Sequence, residues 1–492
     1  MTMGAEAATV VSTLLLTSML SHWMGAHPLS EFLLLRRVLS WMLAGSLLGL
    51  ATGLPRYVAH NASRRTSNGP VYFLAACMCA MASAVSCGAV LFAFRDSFAR
   101  WLFGSVQEAG LVVGLALLLI GFAVHRTVYG YYRGVLDMAR ANILEICNVA
   151  LLPLIVVALL YHRETVPAMM GVIGALTAIS SIAFAVPVIL NVHTSSVIEV
   201  PGLCAELLRY GLPRVPGEFG AAALTALGPM LAAHYLQLAQ VSPLLIGLNM
   251  LMVVGYAAGP LGIVLLSKVS MMLGQNQHFE VQSRLRLLLT AVTEASVFTC
   301  IQLAIFADVL VRAWVGPQFL TQMGVIRIVL LAIPPYLFYV ALRSTIDAVT
   351  VKPYNTANVL ASLAVYVILI EAWTRSPFGG SLLAGIAGSL LVSQILLGLL
   401  TVRTFRRFYG IGVPWRDLAP SFACAAVLGA CALALRAFVG ENVPLTFVIA
   451  AELLFTAAYL VVLAKRGSGW VLYLWNIGIR RCTEWPEKAV QP

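Results

Sequence analysis

Charged side chains are scarce in this chain of 492 residues, and their scarcity excludes a water-soluble fold. Only 10% of the residues are Asp, Glu, Lys or Arg, whereas a soluble domain carries about 25%. Hydrophobic residues make up 60% of the chain, and its mean hydropathy is +0.91. This composition is typical of a protein that lies within a lipid bilayer.

Common motifs of catalysis and metal binding are also missing. The chain contains neither His-Glu-x-x-His nor Gly-x-Ser-x-Gly, the signatures of zinc proteases and of many serine hydrolases. Its nine cysteines lack paired ligand spacing, since Cys77 and Cys79 are too close together for a usual zinc knuckle. We therefore predict no catalytic residue, no metal site and no resident cofactor.

What the chain does contain is a series of fourteen apolar stretches. A helical span needs roughly 20 apolar residues, and no stretch alternates with the period of two that marks a barrel strand. The sequence therefore predicts an all-α polytopic membrane protein. No Lys or Arg precedes the first stretch, which we interpret as a span and not as a signal peptide. The predicted spans are 5–27, 38–59, 70–94, 109–130, 142–161, 168–190, 216–236, 244–266, 288–311, 325–344, 356–374, 380–402, 417–438 and 443–464.

The placement of positive charge predicts the orientation. Loops after even-numbered spans, together with the C-terminal tail, hold 22 of the 31 Lys and Arg residues. The remaining loops hold nine, including Arg36 and Arg37 after the first span. Because Lys and Arg concentrate in cytoplasmic loops, both termini are predicted to be cytoplasmic. Topology and the anionic lipids of the inner leaflet explain the net charge of +11, without a nucleic-acid partner.

A short signature occurs twice, six spans apart. Tyr-Arg-Gly-Val-Leu-Asp (132–137) closes span 4, Leu-Arg-Ser-Thr-Ile-Asp (342–347) closes span 10, and Ala-Asn follows each. Internal repeats of helices are typical of transporters in which one half moves against the other. The predicted divisions are a lobe at 1–195 with spans 1–6, a lobe at 196–404 with spans 7–12, spans 13 and 14 at 405–466, and a cytoplasmic or interfacial tail at 467–492.

Six arginines lie at the cytoplasmic ends of predicted spans in both lobes. A guanidinium binds phosphate oxygens in pairs and stays charged in a medium of low dielectric, so a ring of them is a candidate site for an anionic head group. The alternative is that each arginine only flanks its span and reaches the lipid head groups. The candidates are Arg56, Arg126, Arg133, Arg209, Arg214 and Arg343, of which Arg126 and Arg214 are favoured.

Acidic residues near or within the spans are candidates for gating or coupling. Arg133 and Asp137, like Arg343 and Asp347, are four residues apart, so each pair is predicted to meet on one helix face as a structural salt bridge or as a gate. An ionised carboxylate in a span costs a few kcal/mol. Such an acid is either protonated and packed or functional. The candidates inside spans are Glu145, Glu218 and Glu294, with Glu294 preferred for coupling.

Several segments at span ends carry a family resemblance. Residues 208–219 read Leu-Arg-Tyr-Gly-Leu-Pro-Arg-Val-Pro-Gly-Glu-Phe, residues 53–59 read Gly-Leu-Pro-Arg-Tyr-Val-Ala, and residues 314–319 read Trp-Val-Gly-Pro-Gln-Phe. In this order they resemble Wzx-type polysaccharide or O-antigen flippases of the multidrug/oligosaccharidyl-lipid/polysaccharide (MOP) exporter superfamily. The resemblance implies two six-helix lobes plus two helices in a bacterial inner membrane. It also implies transport of an undecaprenyl-pyrophosphate-linked oligosaccharide for surface polysaccharide, lipopolysaccharide or exopolysaccharide, beside a polymerase and glycosyltransferases.

Other functions remain open alternatives. A membrane-embedded glycan polymerase or ligase would use the same lipid carrier, but it needs a large outer loop, and the predicted outer loops are short. A drug or cation exporter of the same fold is expected to have an acid deep in span 1, which has none after Glu6. Lipid II flippases are expected to carry an arginine in the body of span 1, and none is present.

Overall fold

The computed structural model describes residues 2–63, 69–192, 198–274, 278–350, 352–375, 381–440 and 444–472. Within these ranges every regular element is a helix, as the composition predicted. A helix satisfies its backbone N–H and C=O groups internally, which a segment in hydrocarbon must do.

The first half of the protein consists of nine α-helices. A 3₁₀ turn, Val106–Glu108, precedes α6, and a π-helix, Ile146–Leu151, joins α7 to α8. The helices are α1 (Thr2–Met24), α2 (Ala26–Ser46), α3 (Leu50–Ser63), α4 (Gly69–Ala93), α5 (Arg95–Phe103), α6 (Ala109–Gly134), α7 (Met138–Glu145), α8 (Leu152–Leu160) and α9 (Val166–Leu190).

A connecting helix, α10 (Val200–Gly211), leads into the second half, and a final pair of helices follows it. The second half comprises α11 (Val215–Tyr235), α12 (Leu238–Gly274), α13 (His278–Trp314), α14 (Met323–Leu330), α15 (Ile333–Val349), α16 (Tyr354–Arg375) and α17 (Leu382–Tyr409). The final pair is α18 (Trp415–Val439) and α19 (Leu445–Lys465).

The number of spans agrees only partly with the prediction of fourteen. Among the described residues, 11 helices are long and apolar enough to cross a membrane, or up to 13 if each of two bent pairs forms one span. Helix α11 occupies the position of predicted span 7 but is not one of these candidates. The exact count of fourteen is therefore not confirmed.

The predicted boundaries of span 2 are wrong. The prediction of one span at 38–59 ignored a break, because α2 starts already at Ala26 and meets α3 at a bend of 50°. Leu48 and Gly49 have positive φ angles of 52° and 75° in this break. A Cβ atom on Gly49 would lie 2.4 Å from the carbonyl oxygen of Gly211, so the close approach of the two backbones requires glycine.

The two halves pack together along α2 and α11. The rings of Trp41 and Phe219 lie 4.8 Å apart. One continuous hydrophobic cluster includes Leu34 of α2, Leu244 of α12 and Ile326 of α14. Burial of apolar side chains therefore stabilises the contact between the halves.

The connecting helix α10 packs on the first half, although it follows the predicted lobe boundary at residue 195. The hydroxyl of Tyr72 on α4 donates a 2.8 Å hydrogen bond to Glu206, and the Cys204 thiol donates to the carbonyl of Ala75 at 3.5 Å. A second hydrophobic cluster, which includes Phe73 and Leu207, joins α10 to α4. These contacts hold the start of α11 against the first half.

The final pair, α18 and α19, is attached to α13 at two levels. The guanidinium of Arg436 on α18 binds the carboxylate of Asp308, which is 9% exposed. Towards the other end of α13, Ser421 of α18 donates a 2.7 Å hydrogen bond to Glu294. Between these levels, the ring of Phe298 stacks on Tyr459 of α19 at 4.4 Å.

Candidate functional site

Hydrogen bonds between the halves concentrate at one end of the protein, which contains the α1–α2 turn and is named the closed end. Trp314 Nε1 donates to the carbonyl of Leu14 at 2.7 Å, and Gln318 Nε2 donates to Ser21 Oγ at 3.2 Å. The Ser21 hydroxyl in turn donates to the carbonyl of Val315. In the predicted orientation this end faces outward, so the contacts close the outer side between α1 and α13.

Two further polar contacts continue this closure between the halves. The hydroxyls of Ser30 on α2 and Ser242 on α12 are 2.7 Å apart, and Asn249 Nδ2 donates to Thr17 Oγ1 at 3.1 Å. Ser30 and Ser242 are fully buried. Each such hydrogen bond contributes only about 0.5–1.5 kcal/mol net, so the closed end is held by contacts that can separate one by one.

Beyond the closed end, charged and tyrosyl side chains from both halves interact electrostatically in a region that we name the charged cleft. Arg36 and Arg37 contribute to it from α2. Arg37 is 8% exposed and contacts Met252 of α12 through its guanidinium, while the Arg36 guanidinium carbon lies 5.5 Å from the Phe32 ring centroid. Both arginines interact electrostatically with Tyr256 of α12.

Arg36 and Arg37 were not predicted as cleft residues, because the predicted spans place them in an outer loop. In the structure they lie in the body of α2, since this helix starts at Ala26. Gly25, with φ of 95°, separates α1 from α2 and is a local signal for that start. The apolar residues on both sides of the arginine pair, Phe32–Leu35 and Val38–Leu39, could have indicated a longer helix.

The first half contributes a second charged group around Glu145. Arg126 Nη1 lies 3.6 Å from Glu145 Oε1, and their side chains are 35% and 15% exposed. Arg126 also interacts electrostatically with Glu6 of α1 and with Tyr256 across the cleft. Arg133 lies over the ring of Tyr129 at 5.5 Å. Arg126 thus interacts with residues of both halves, while its role in substrate binding stays a prediction.

A fully buried histidine extends this group into the first half. His125 is 0% exposed, its Nε2 lies 3.0 Å from Glu145 Oε2, and its Nδ1 lies 3.1 Å from Asn148 Nδ2. Because the amide nitrogen can only donate, Nδ1 accepts and Nε2 carries the proton. Asn148 also donates to Ser181 at 2.9 Å and accepts from Ser180 at 2.5 Å. Every member of this network has a polar partner.

The network is built on the π-helix between α7 and α8. Asn148 lies within Ile146–Leu151, and the carbonyl of Ala150 in the same segment accepts a 2.7 Å hydrogen bond from Ser12 of α1. Single π-helical turns within α-helices occur frequently at functional sites. The sequence indicates Glu145 but not Asn148, because the apolar stretch around Asn148 carries no sign of the altered helical turn.

The second half contributes Arg343 on α15 to the charged cleft. The Arg343 guanidinium lies 5.5 Å from the ring of Tyr339 and is exposed to solvent. Tyr336, one turn earlier on α15 than Tyr339, interacts electrostatically with Arg37, Arg343 and Tyr256. Residues of both halves therefore contribute to the charged cleft.

The repeated Arg–Asp signature adopts different structures in the two halves. The predicted pair of Arg133 and Asp137 is wrong, because α6 ends at Gly134 and Asp137 instead accepts a 3.1 Å hydrogen bond from the backbone N–H of Arg140. In the second half, α15 continues through Asp347. There Asn355 donates to Asp347 Oδ1 and to the carbonyl of Arg343, each at 2.8 Å.

The remaining arginine candidates lie near the connecting helix. Arg214 lies 3.8 Å over the ring of Tyr210 and donates to its carbonyl at 2.9 Å, and exposed Arg56 lies over the same ring at 4.7 Å. Arg209 is exposed on α10. Glu218, on the first turn of α11, is half-buried and interacts electrostatically with Arg343 and Arg214.

Glu294 lies outside the charged cleft, on the side of α13 that faces the final pair. Its carboxylate is 3% exposed and accepts hydrogen bonds from Ser421 at 2.7 Å, Ser468 at 2.9 Å and Trp470 Nε1 at 2.6 Å. It borders a cavity of about 470 Å³ that Arg286, Asp417 and Arg466 also line. These bonds attach the final pair to α13, while a coupling role for Glu294 stays a prediction.

The cleft as a whole has more positive than negative side chains. The arginines that line or border it are Arg36, Arg37, Arg126, Arg133 and Arg343. The acids among them are Glu6, Glu145, Glu218 and Asp347. Excess guanidinium groups with adjacent tyrosine hydroxyls suit an anionic, hydrogen-bonding ligand.

Comparisons with known proteins show the same fold in membrane transporters. No protein-family model matches the chain, and no curated protein matches it. The lipid II flippase MurJ in an inward closed conformation matches with a TM-score of 0.70 at 12% identity, over 93% of this chain and 96% of that chain. An inward-facing multidrug resistance MATE family transporter of the MOP superfamily matches with a TM-score of 0.64 at 13% identity, over 82% of this chain and 94% of that chain. The eukaryotic MATE transporter AtDTX14 matches with a TM-score of 0.61 at 13% identity, over 83% of this chain and 96% of that chain. The chain thus has the MOP superfamily fold that its sequence motifs predicted.

Proposed function

We propose that this protein is a flippase that moves an undecaprenyl-pyrophosphate-linked oligosaccharide from the inner to the outer leaflet. The observation that supports this proposal is the charged cleft, in which arginines from both halves converge while the opposite end is closed. A pyrophosphate carries its charge on several oxygens, and guanidinium groups bind such oxygens in pairs without losing their own charge. No covalent chemistry is needed for this transfer.

The closed end and the charged cleft together support alternating access. In the predicted orientation the cleft faces the cytoplasm, where the lipid-linked head group is made. Separation of the closed end would then open the same cleft to the outside, as in transporters whose two halves rock around a fixed site. Movement of one negative charge outward across an inside-negative membrane gains about 2.3 kcal/mol per 100 mV, which favours export of an anion.

The proposal includes the cellular context that the resemblance implies. We place the protein in a bacterial inner membrane as a multi-pass protein with both termini in the cytoplasm. Glycosyltransferases would supply its lipid-linked substrate, and a polysaccharide polymerase would consume it on the outer side. The alternative of a drug or cation exporter is less well supported, because the excess of arginine in the cleft repels cations.

The test replaces cleft arginines from each half. Arg37→Gln and Arg343→Gln keep polar side chains and remove one positive charge each. A charge-assisted hydrogen bond contributes about 1.5–3 kcal/mol, so each variant is expected to lower surface glycan export about tenfold or more. Export is measured as surface glycan and as lipid-linked oligosaccharide that accumulates in the cell, with protein abundance in the membrane measured in parallel.

The matched control is Arg375→Gln. Arg375 is exposed and pairs with Glu371 on its own helix, with Nε 2.7 Å from Oε1, so its loss is expected to leave export unchanged. Wild-type export by the Arg37→Gln/Arg343→Gln double variant would refute the cationic cleft. Cation-dependent efflux of a dye by the wild-type protein would support the exporter alternative instead.

A further inference from the structure

We propose that the closed end contains a binding site for a divalent transition-metal cation, formed by His27, Glu31 and Glu108. His27 Nδ1 lies 3.5 Å from Glu31 Oε1, and His27 Nε2 lies 3.6 Å from Glu108 Oε1. One ligand atom from each residue can be chosen so that all three lie within 4.8 Å of one another. Ligand atoms in a tetrahedral site are about 3.4 Å apart when each bond is about 2.1 Å long, so small side-chain movements suffice to bind a metal.

The fold brings these residues together from two separate helices. His27 and Glu31 are one turn apart on α2 and therefore lie on the same helix face. Glu108 ends the 3₁₀ turn that precedes α6, and its side chain makes no capping hydrogen bond to that helix. An acid at a helix start usually caps the backbone N–H groups. Glu108 instead faces α2 and the other two side chains.

The charge balance of the cluster points to a bound cation. The side chains of Glu31 and Glu108 are only 13% and 14% exposed. Their carboxyl groups also interact directly with each other. In the described part of the chain, His27 is the only basic residue within salt-bridge distance of either acid. Two adjacent, mostly buried carboxylates repel each other unless a proton or a metal cation lies between them.

The ligand set indicates the class of metal. One imidazole and two carboxylates suit divalent first-row cations such as Zn²⁺ or Mn²⁺, and the set contains no thiolate. The His27 side chain is 51% exposed, which provides a path for the metal and a position for water ligands. The sequence analysis predicted no metal site, because Glu108 is distant in the sequence from the other two residues.

The position of the site gives it a structural role at the closed end. Glu108 follows closely after Gly104, which has φ of 79° and packs against the carbonyl of Ala233 at the end of α11. A Cβ atom on Gly104 would lie 2.1 Å from that oxygen. A metal that joins α2 to the start of α6 would therefore stiffen the segment through which the first half contacts α11. This inference does not depend on the transported substrate.

The test uses the purified protein in detergent and two metal probes. Co²⁺ replaces Zn²⁺ at sites of nitrogen and oxygen ligands, and Mn²⁺ prefers oxygen ligands to cysteine thiolates. We expect one Co²⁺ per chain near pH 7, with absorption bands of nitrogen and oxygen ligands and without a thiolate charge-transfer band. His27→Ala, Glu31→Gln and Glu108→Gln should each weaken Co²⁺ and Mn²⁺ binding at least about tenfold. Thermal unfolding without metal shows whether each variant is folded.

Two controls come from polar residues outside the cluster. His234→Ala removes an imidazole whose Nδ1 contacts the Met230 carbonyl of its own helix, and Glu164→Gln removes an exposed carboxylate. Both variants should bind Co²⁺ as the wild type does. The proposal is overturned if the wild type binds no Co²⁺ at millimolar concentration, which would leave a shared proton between the acids. It is also overturned if the three cluster variants retain wild-type affinity, or if a thiolate band accompanies binding.

Discussion

At the scale of single residues, the partner of each arginine decides what it can do. Arg37, Arg126 and Arg343 lie in the charged cleft, whereas Arg56 and Arg214 both lie over the ring of Tyr210. The ring of arginines from both halves, which residue type and helix-end position predicted, stays a prediction. Residue type and position could not distinguish arginines of the cleft from arginines beside the connecting helix. The direction of a side chain depends on the rotation of its helix, which a uniformly apolar sequence does not specify.

The residue-scale prediction concerns Glu145, which interacts with His125 and Arg126. Glu145→Gln removes the negative charge but keeps a hydrogen-bond acceptor for His125, and it leaves Arg126 without its counter-ion. Loss of one partner of a buried pair costs about 3–5 kcal/mol, and the partial exposure of Arg126 reduces the expected cost to about 1–3 kcal/mol. The measurement is the free energy of unfolding in detergent.

A double-mutant cycle separates this pair from general destabilisation. Arg126→Gln/Glu145→Gln should lose less stability than the sum of the single variants, with a coupling energy above about 0.5 kcal/mol. The matched control is Glu371→Gln, which removes an exposed carboxylate that pairs with Arg375 on the same helix. Strict additivity of the Arg126 and Glu145 effects would contradict the assigned ion pair.

At the scale of elements, the sequence located long helices well and the breaks within them poorly. Spans 3, 6 and 11 were predicted at 70–94, 168–190 and 356–374, and the corresponding helices are Gly69–Ala93, Val166–Leu190 and Tyr354–Arg375. Hydropathy reports how apolar a stretch is, not the conformation of its backbone. It therefore missed the bend after α2 and the π-helix, both of which have apolar sequences.

The element-scale prediction concerns the attachment of α18 and α19. Arg436→Met removes the closer ion-pair partner of the buried Asp308. Within the described residues Asp308 then keeps one ion pair, with Arg327, whose Nη2 lies 3.6 Å from Asp308 Oδ1. We expect a loss of about 2–4 kcal/mol and faster hydrogen exchange in residues 415–439 than in α15. The exchange rates are measured by mass spectrometry on the purified protein.

The compensating variant distinguishes an unpaired charge from lost packing. Asp308→Asn/Arg436→Met removes both charges, and it should restore most of the protection that Arg436→Met loses. Equal exchange rates in the wild type and Arg436→Met would show that the ion pair does not hold the final pair of helices in place.

At the scale of the whole molecule, the polar contacts at the closed end and the excess of positive side chains in the cleft define a single state of the protein. The sequence predicted an all-α fold and an arginine-lined cleft between two halves. It did not predict the closed end, because Ser21, Ser30 and Gln318 are ordinary polar residues until tertiary packing brings them to their partners. The lobe boundaries and the membrane orientation stay predictions.

The prediction at this scale is that the closed end must separate during transport. The hydroxyls of Ser30 and Ser242 are 2.7 Å apart, so Ser30→Cys/Ser242→Cys is expected to form a disulfide between the halves. Under oxidising conditions surface glycan should fall about tenfold or more, because the covalent bond keeps the two halves together at this end. Reductant should restore it.

The single variants Ser30→Cys and Ser242→Cys serve as controls, because the chain contains nine native cysteines. Each single variant should export normally with or without oxidant. Normal export by the oxidised double variant, with the cross-link verified by mass spectrometry, would show that the two halves do not separate at this end.

The π-helix Ile146–Leu151 has a consequence for how the chain tolerates insertions and deletions. Its hydrogen bonds span five residues where those of an α-helix span four, so the segment contains one surplus residue. Deletion of Val149 would let the backbone regain a regular α-helical register and would leave α8 oriented as before relative to α7, so only side chains within the π-helical turn, such as Asn148, would be displaced. The buried histidine network thus depends on a single codon, and comparison with related genes should show gaps of one residue at this point wherever the histidine is replaced.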